Sequence, residues 1–311
     1  MNNVSIIIPA YNAYNTLRES VESCLEQKNY LKEIIIIDDF STDETWNLIC
    51  ELKCDFPSII FGYKNLSKGG NIARNFGFSL STGDFIQWLD ADDLIINNKL
   101  KYQLEKFKYD SELDIIYSDW ILRTINKNSF IDENHFETQT NDFLLKLLKD
   151  DWMPPHSYLI KRKAAVKISE LNGWNPKTSV LQDREYFTIA ALLGLQYGYV
   201  SGLFSVYNRN ININSVSKKK QTEKSSSLLN IMNNLISIIE TNKLQHIKSI
   251  HISYIKTNIM YSEMLSKTKS NIKINFNDIK FQNFYGRTLL VKLLFYFIKR
   301  TFSIGLSRYE T

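Results

Sequence analysis

The chain has 311 residues, 44% hydrophobic and 23% charged. That is enough apolar material to bury a substantial core and argues against wholesale disorder. A formal charge of +5, with no zinc-finger spacing and no arginine-rich arm, points away from nucleic-acid recognition, and no stretch reaches the ~20 apolar residues that span a bilayer.

The chain enters a buried strand at 4–8 with no basic or cleavable leader ahead of it, the pattern of a protein that stays in the cytoplasm. A helix is expected at 14–27, a strand at 33–37, a helix from near 42, a strand at 58–61 and a helix from 69 or 70 to 80. A strand at 85–89 and a helix at 100–107 follow. Short apolar runs alternating with helices predict a mostly parallel sheet covered on both faces. Next come a strand at 115–117, an irregular or antiparallel section at 120–125, an exposed loop at 126–141 and a helix at 143–148. A strand at 158–160, helices at 162–168 and 182–193 and a late strand at 204–207 complete a catalytic unit of 1–215. Beyond it, 216–311 reads as a helical appendage, with helices near 226–240 and 246–265 and a basic, apolar stretch at 287–308. Cys24, Cys50 and Cys54 lack the partners of a zinc site and read as buried thiols in a reducing compartment.

In parallel sheets ligands gather beyond the carboxyl ends of the strands. Three polar loops fall there: Pro9-Ala10-Tyr11-Asn12, Asp38-Asp39-Phe40-Ser41 and Asp90-Ala91-Asp92-Asp93. Carboxylates spaced as Asp90 and Asp92 are can hold a hard divalent cation, the usual partner of a diphosphate; the alternative is an acidic turn before a helix capped by Asn97 or Asn98. Asp39 could accept hydrogen bonds from a uracil ring or ribose, with Tyr11 packed beside the base; helix capping is the competing role. Lys68 is a candidate phosphate contact beside Gly69-Gly70, glycines that allow close backbone approach or merely a turn. Arg74 reads as an ion-pair residue. Asp183 is either an N-cap or a general base, with Glu185 as the competing carboxylate. Trp152 could stack on a sugar and His156 bond an acceptor or phosphate, although a lone histidine is more often structural. Arg209 could reach a diphosphate or be an exposed edge residue.

Four blocks in order carry a resemblance to a known family: Val4-Ser5-Ile6-Ile7-Ile8-Pro9-Ala10-Tyr11-Asn12, Ile37-Asp38-Asp39-Phe40-Ser41-Thr42-Asp43, Gly70-Asn71-Ile72-Ala73-Arg74-Asn75 and Ser81-Thr82-Gly83-Asp84-Phe85-Ile86-Gln87-Trp88-Leu89-Asp90-Ala91-Asp92-Asp93. The chain resembles glycosyltransferase family 2, closely over 1–118 and loosely to about 210. The resemblance implies a GT-A fold, with a nucleotide-sugar half (1–118) and an acceptor half (119–215). It implies an inverting transfer from a nucleotide sugar, a UDP-hexose or UDP-N-acetylhexosamine, to a glycan or lipid-linked acceptor of a surface polysaccharide. Pro9, Ala10, Tyr11 and Asp39 would surround the nucleoside. Asp90, Ala91 and Asp92 would form the motif for Mn2+ or Mg2+, with Asp92 closest to the metal and Asp93 a second candidate. The family's Glu-Asp pair looks like Gln182-Asp183, whose aspartate would be the catalytic base, and Arg209 would lie near the donor diphosphate.

Two other readings compete. A sugar nucleotidyltransferase would carry a glycine-rich basic loop after its first strand, where Pro9-Ala10-Tyr11-Asn12 stands. A non-catalytic carbohydrate-binding or scaffold protein would be expected to lose the acidic positions, and Asp90, Asp92 and Asp183 are retained. The 287–311 stretch is expected either to lie peripherally on an anionic membrane or to pack on its own domain or a second subunit.

Overall fold

The isoleucine-rich runs are buried on both faces, as strands inside a covered sheet must be. Val4–Ala10 (β1) and Leu31–Asp38 (β2) pair in parallel, β2 pairs with Ile60–Lys64 (β3), and β1 pairs with Phe85–Trp88 (β4), all parallel. In this computed structural model residues 3–126, 129–210 and 221–266 are described; the amphipathic stretch expected at 287–311 lies outside them. Alternation sorts the isoleucines. Ile6, Ile8, Ile34 and Ile36 join Leu17, Val21, Leu48 and Leu52 of helices Leu17–Leu25 (α1) and Thr45–Asp55 (α2), whereas Ile35 and Ile37 meet Ala73 of Gly70–Leu80 (α3).

Two helices start later than their patterns suggest. Residues 11–16 form a turn, closed where the Ala13 carbonyl accepts the Thr16 and Leu17 amides at 3.0 and 2.9 Å. The Asp43 carboxylate accepts the Thr45 amide at 3.0 Å, which sets the start of α2 at Thr45.

Beyond β4 the sheet is not mostly parallel. Its order is β3-β2-β1-β4-β8-β6-β9-β5, with β7 on β6, where β5 is Leu94–Ile95, β6 Ile115–Asn126, β7 Ser129–His135, β8 Leu159–Lys161 and β9 Tyr197–Asn210. β8 is antiparallel to both β4 and β6, β9 runs parallel to β6, and β5 is antiparallel to β9. Lys99–Tyr109 (α4), Phe143–Leu148 (α5), Arg162–Ser169 (α6) and Gln182–Leu192 (α7) complete this part.

Half of the loop expected at 126–141 is the strand β7, exposed along nearly its whole length. β6 is one strand with a register irregularity around Asp119, where the buried carboxylate accepts the Tyr199 hydroxyl and the amides of Glu137 and Gly202, each at 2.7 Å. Cys24 is buried, but Cys50 and Cys54 are exposed on α2, against the expectation for all three.

The chain divides into two compact units, Met1–Lys218 and Lys219–Thr311. In the second, Gln221–Asn242 (α8) and Ser249–Ser266 (α9) pack on each other, and Leu228, Ile231, Met232, Leu235 and Ile238 form a buried stripe at helical spacing. No helix among the described residues is long and apolar enough to cross a membrane.

Candidate active site

The parallel register brings Ala10, Asp38 and Trp88 to one edge of the sheet, so the loops that follow them share a crevice. Asp39 is buried, and its Oδ1 accepts the Asn65 side-chain amide and the Gly69 backbone amide, both at 2.7 Å. Gly69 has φ +146°, a conformation open to glycine and strained for other residues, so the glycine sets where this amide points. Tyr11 is half exposed, and the Lys68 ammonium stands 4.9 Å over its ring. Lys68 is therefore placed by an aromatic face, and no phosphate role is visible in that contact. Pro9 is partly exposed within β1, and the side chains of Ala10 and Ala91 are packed in the core.

The acidic turn follows β4. Arg74 Nη2 donates to Asp90 Oδ1 at 2.5 Å, and Nη1 donates to Gln182 Oε1 at 3.2 Å. The guanidinium also lies 4.5 Å over the Trp174 ring. The ion pair expected for Arg74 thus ties the acidic turn to the start of α7. Asp92 is exposed at the residue level, while desolvation is the largest influence on its carboxyl. That desolvation, followed by the charges of Asp93 and Asp90, holds its carboxyl well above the usual carboxylate range. Asp93 is buried, and its Oδ1 accepts the Asn208 amide at 2.7 Å. Its Oδ2 lies 3.1 Å from His156 Nδ1. Burial pushes the Asp93 carboxyl up and the His156 imidazole down to about 4, so the pair favours its neutral form. His156 is wholly buried under the acidic turn and does not face an acceptor.

Asp183 sits on the first turn of α7, two residues after Leu181, a non-glycine residue at φ +61°. Its Oδ1 accepts the Arg184 amide at 2.9 Å and its Oδ2 the Trp152 indole N–H at 2.6 Å. Burial raises its pKa; these two bonds oppose the shift, and the charge of Asp90 adds to it. Trp152, partly exposed, meets Trp120 and Tyr207 edge-on at 5.9 and 5.7 Å, so its indole nitrogen serves Asp183 while its ring joins an aromatic wall. Glu185 is buried and accepts from Asn175 and Thr178 at 3.1 and 2.5 Å, which occupies it away from the crevice.

Arg209 does not lie with the acidic turn. Its Nη2 donates to Thr124 Oγ1 at 2.8 Å, whereas Asn208 binds the turn through its amide and through Nδ2 to the Asp92 carbonyl at 2.6 Å. Adjacent strand residues point to opposite faces, so Asn208 takes the place expected for Arg209. Nothing in the one-letter pattern singles out Asn208. A second unanticipated support is Lys99, fully buried, which donates to Gln87 and Gln103 at 2.5 and 2.7 Å, while Gln87 donates to the His156 carbonyl at 3.2 Å. Among the described residues no group of three or more His, Cys, Asp or Glu side chains is arranged to hold a metal ion.

A parallel nucleotide-type half, an acidic turn at its switch point and a mixed half across β4 and β8 define a GT-A glycosyltransferase fold. The model of glycosyl transferase family 2 matches residues 5–168, just over half of the chain, and the chain belongs to that family. Two relatives from Escherichia coli carry the name UDP-Glc:alpha-D-GlcNAc-diphosphoundecaprenol beta-1,3-glucosyltransferase. WfaP is 38% identical over 122 residues, 39% of this chain and 47% of its own; WfgD is 33% identical over 128 residues, 41% and 49%. The chain therefore spans less than half the length of either relative. Staphylococcus aureus TarS 1-349 in complex with UDP-GlcNAc superposes with a TM-score of 0.61 over 93% of this chain and 79% of that one, at 15% identity. The mannosyltransferase PcManGT from Pyrobaculum calidifontis, with GDP-Man and Mn2+, gives 0.52 over 99% and 81%, at 14% identity. At such identities the likeness is one of fold.

Proposed function

We propose that the protein is an inverting glycosyltransferase. It moves a hexose or N-acetylhexosamine from a UDP-sugar to a hydroxyl of a glycan or lipid-linked saccharide during surface-polysaccharide synthesis. The observation that carries this reading is Arg74, which joins Asp90 of the acidic turn to Gln182, the residue before Asp183. Donor-side carboxylates and a candidate base are thereby held in one crevice. The names of the WfaP and WfgD relatives and the UDP-GlcNAc bound to TarS support the donor and acceptor classes.

Asp183 accepts the proton of the acceptor hydroxyl as its oxygen attacks the anomeric carbon opposite the leaving group. The bond to the nucleoside diphosphate breaks with its electron pair on the diphosphate oxygen, so an α-linked donor gives a β-glycoside. Trp152 and the Arg184 amide keep the carboxylate aimed, and such orientation lowers barriers by roughly 7 kcal/mol or more. The acidic turn fits a divalent cation: Asp92 stands exposed two residues from Asp90, and hard dications take such carboxylate oxygens as ligands. Asp92, with Asp90 shared by Arg74, would hold it, as Mg2+ is commonly held by one or two carboxylates plus substrate phosphates. When bound, Mg2+ or Mn2+ supplies Lewis-acid neutralisation of the departing diphosphate. A lipid-linked acceptor would place the protein on the inner face of the plasma membrane.

The test is UDP release from a panel of UDP-sugars, with and without manganese, for the wild type and Asp92→Asn. The expected result is metal-dependent release, abolished in the variant together with metal-assisted UDP affinity by calorimetry. Unchanged manganese-dependent UDP affinity in Asp92→Asn would overturn the metal assignment, and no release from any nucleotide sugar would overturn the enzyme reading.

A further inference from the structure

β7, β6 and β9 form a ribbon whose register sets Leu122 between Glu133 and Tyr207, then Thr124 between Ile131 and Arg209. Alternation puts these side chains on the face that begins with Trp120, which meets Tyr207 at 6.4 Å and Trp152 at 5.9 Å next to Asp183. Arg209 lies two residues beyond Tyr207, roughly 7 Å further from the base at the usual strand rise. Its side chain is exposed and anchored through one Nη2 bond to Thr124. A guanidinium has five N–H donors in a fork that matches phosphate oxygens. Glu133 lies on the far side of β6 from Arg209, across Leu122, and its carboxylate stands 3.6 Å from His135 Nε2. Ile131, 74% exposed, adds an apolar surface in the same row.

We propose that Arg209 and Thr124 form an acceptor subsite for the phosphate of a sugar joined to a lipid through a diphosphate. The proposal rests on the transferase reading above. The acceptor sugar lies along the aromatic wall of Trp152 and Tyr207 with its nucleophilic hydroxyl at Asp183. The phosphate on its anomeric oxygen points outward to Arg209, and the lipid continues past Ile131. Donor and acceptor diphosphates are then served by consecutive residues of one strand: Asn208 braces the donor's acidic turn, and Arg209, on the opposite face, binds the acceptor.

The test compares Arg209→Ala, Arg209→Lys and Thr124→Val with wild type on two probes, α-N-acetylglucosaminyl diphosphate bearing a short alkyl chain and the phosphate-free alkyl glycoside of the same sugar. Arg209→Ala should raise KM for the diphosphate probe about tenfold or more, the loss expected for a charge-assisted bond. Arg209→Lys should raise it less, while KM for the UDP-sugar, kcat and KM for the alkyl glycoside stay unchanged. Calorimetry of the diphosphate probe without donor should show the same loss, so the subsite is tested even if turnover is not found. A raised donor KM with acceptor KM unmoved would return Arg209 to the donor diphosphate. An equal loss on both probes would assign it to the sugar. Weaker binding to phosphatidylglycerol vesicles alone would assign it to lipid headgroups. Absence of UDP release by the wild type, with probe binding still dependent on Arg209, would sink the transferase reading and leave the subsite standing.

Discussion

At Asp183 the burial that raises its pKa and the indole N–H that opposes the rise set a balance that can be measured. A base acts deprotonated, so kcat should fall as pH drops through the Asp183 pKa, and that limb should lie above the ordinary carboxylate value of about 3.9. Trp152→Phe removes a hydrogen bond that favours the charged form, and the limb should move to still higher pH; a profile that stays in place would dissociate Trp152 from the base. The same raised pKa fixes the sign of the stability effect. Asp183 contributes favourably below its unfolded pKa, and that contribution is lost as pH rises through the folded value. Asp183→Asn should thus abolish transfer with thermal stability at neutral pH equal or higher and UDP affinity retained. Glu185→Gln should behave in the opposite way. It weakens buried bonds to Asn175 and Thr178, so about 1–3 kcal/mol of stability should be lost, with a milder effect on kcat; collapse of transfer in Glu185→Gln alone would exchange the two roles.

Among the elements, α3 shows how close packing decides the sign of a substitution. A Cβ on Gly77 would lie 2.5 Å from Ile7 Cγ2 and 3.3 Å from Ile37 Cγ1, both on buried strands that cannot retreat. Alanine favours a helix interior over glycine by up to about 1 kcal/mol, but overpacking costs about 1–3 kcal/mol, so Gly77→Ala should lower the urea midpoint. A raised midpoint would show that α3 can shift off the sheet. The parallel half was legible because runs such as Ile34–Ile37, separated by helical spacing, leave little choice but covered strands. β7 was not legible: its side chains are exposed, so no alternation marks it, and pairing with β6 alone makes it a strand. β9 was read only at 204–207 because its flanks carry polar residues and Gly202 at φ +142°. Within the site, carboxylates at strand ends could be read from position, whereas the choice of Asp183 over Glu185 as the expected base came from the family resemblance. The burial of His156 and the exchange of roles between Asn208 and Arg209 depend on pairings across the sheet, which local spacing does not encode.

On the scale of the molecule, every residue of the candidate site lies in the unit Met1–Lys218. A chain ending at 218 should therefore keep UDP affinity and one cooperative unfolding transition by calorimetry; loss of both would show that 219–311 completes the first unit. A different consequence follows from the bond between the Asn208 amide and Asp93, partners 115 residues apart in the chain. β5, next to the acidic turn, pairs with β9 at Val206 and Ser205. During synthesis at roughly 5–20 residues per second, Asp93 emerges about 6–23 s before the strand that braces it. The growing polypeptide thus carries the loops that follow β1 and β2 for many seconds with its acidic turn unbraced. Ribosome-bound intermediates should be poor sugar-nucleotide hydrolases, and the onset of activity should coincide with release of β9 from the exit tunnel.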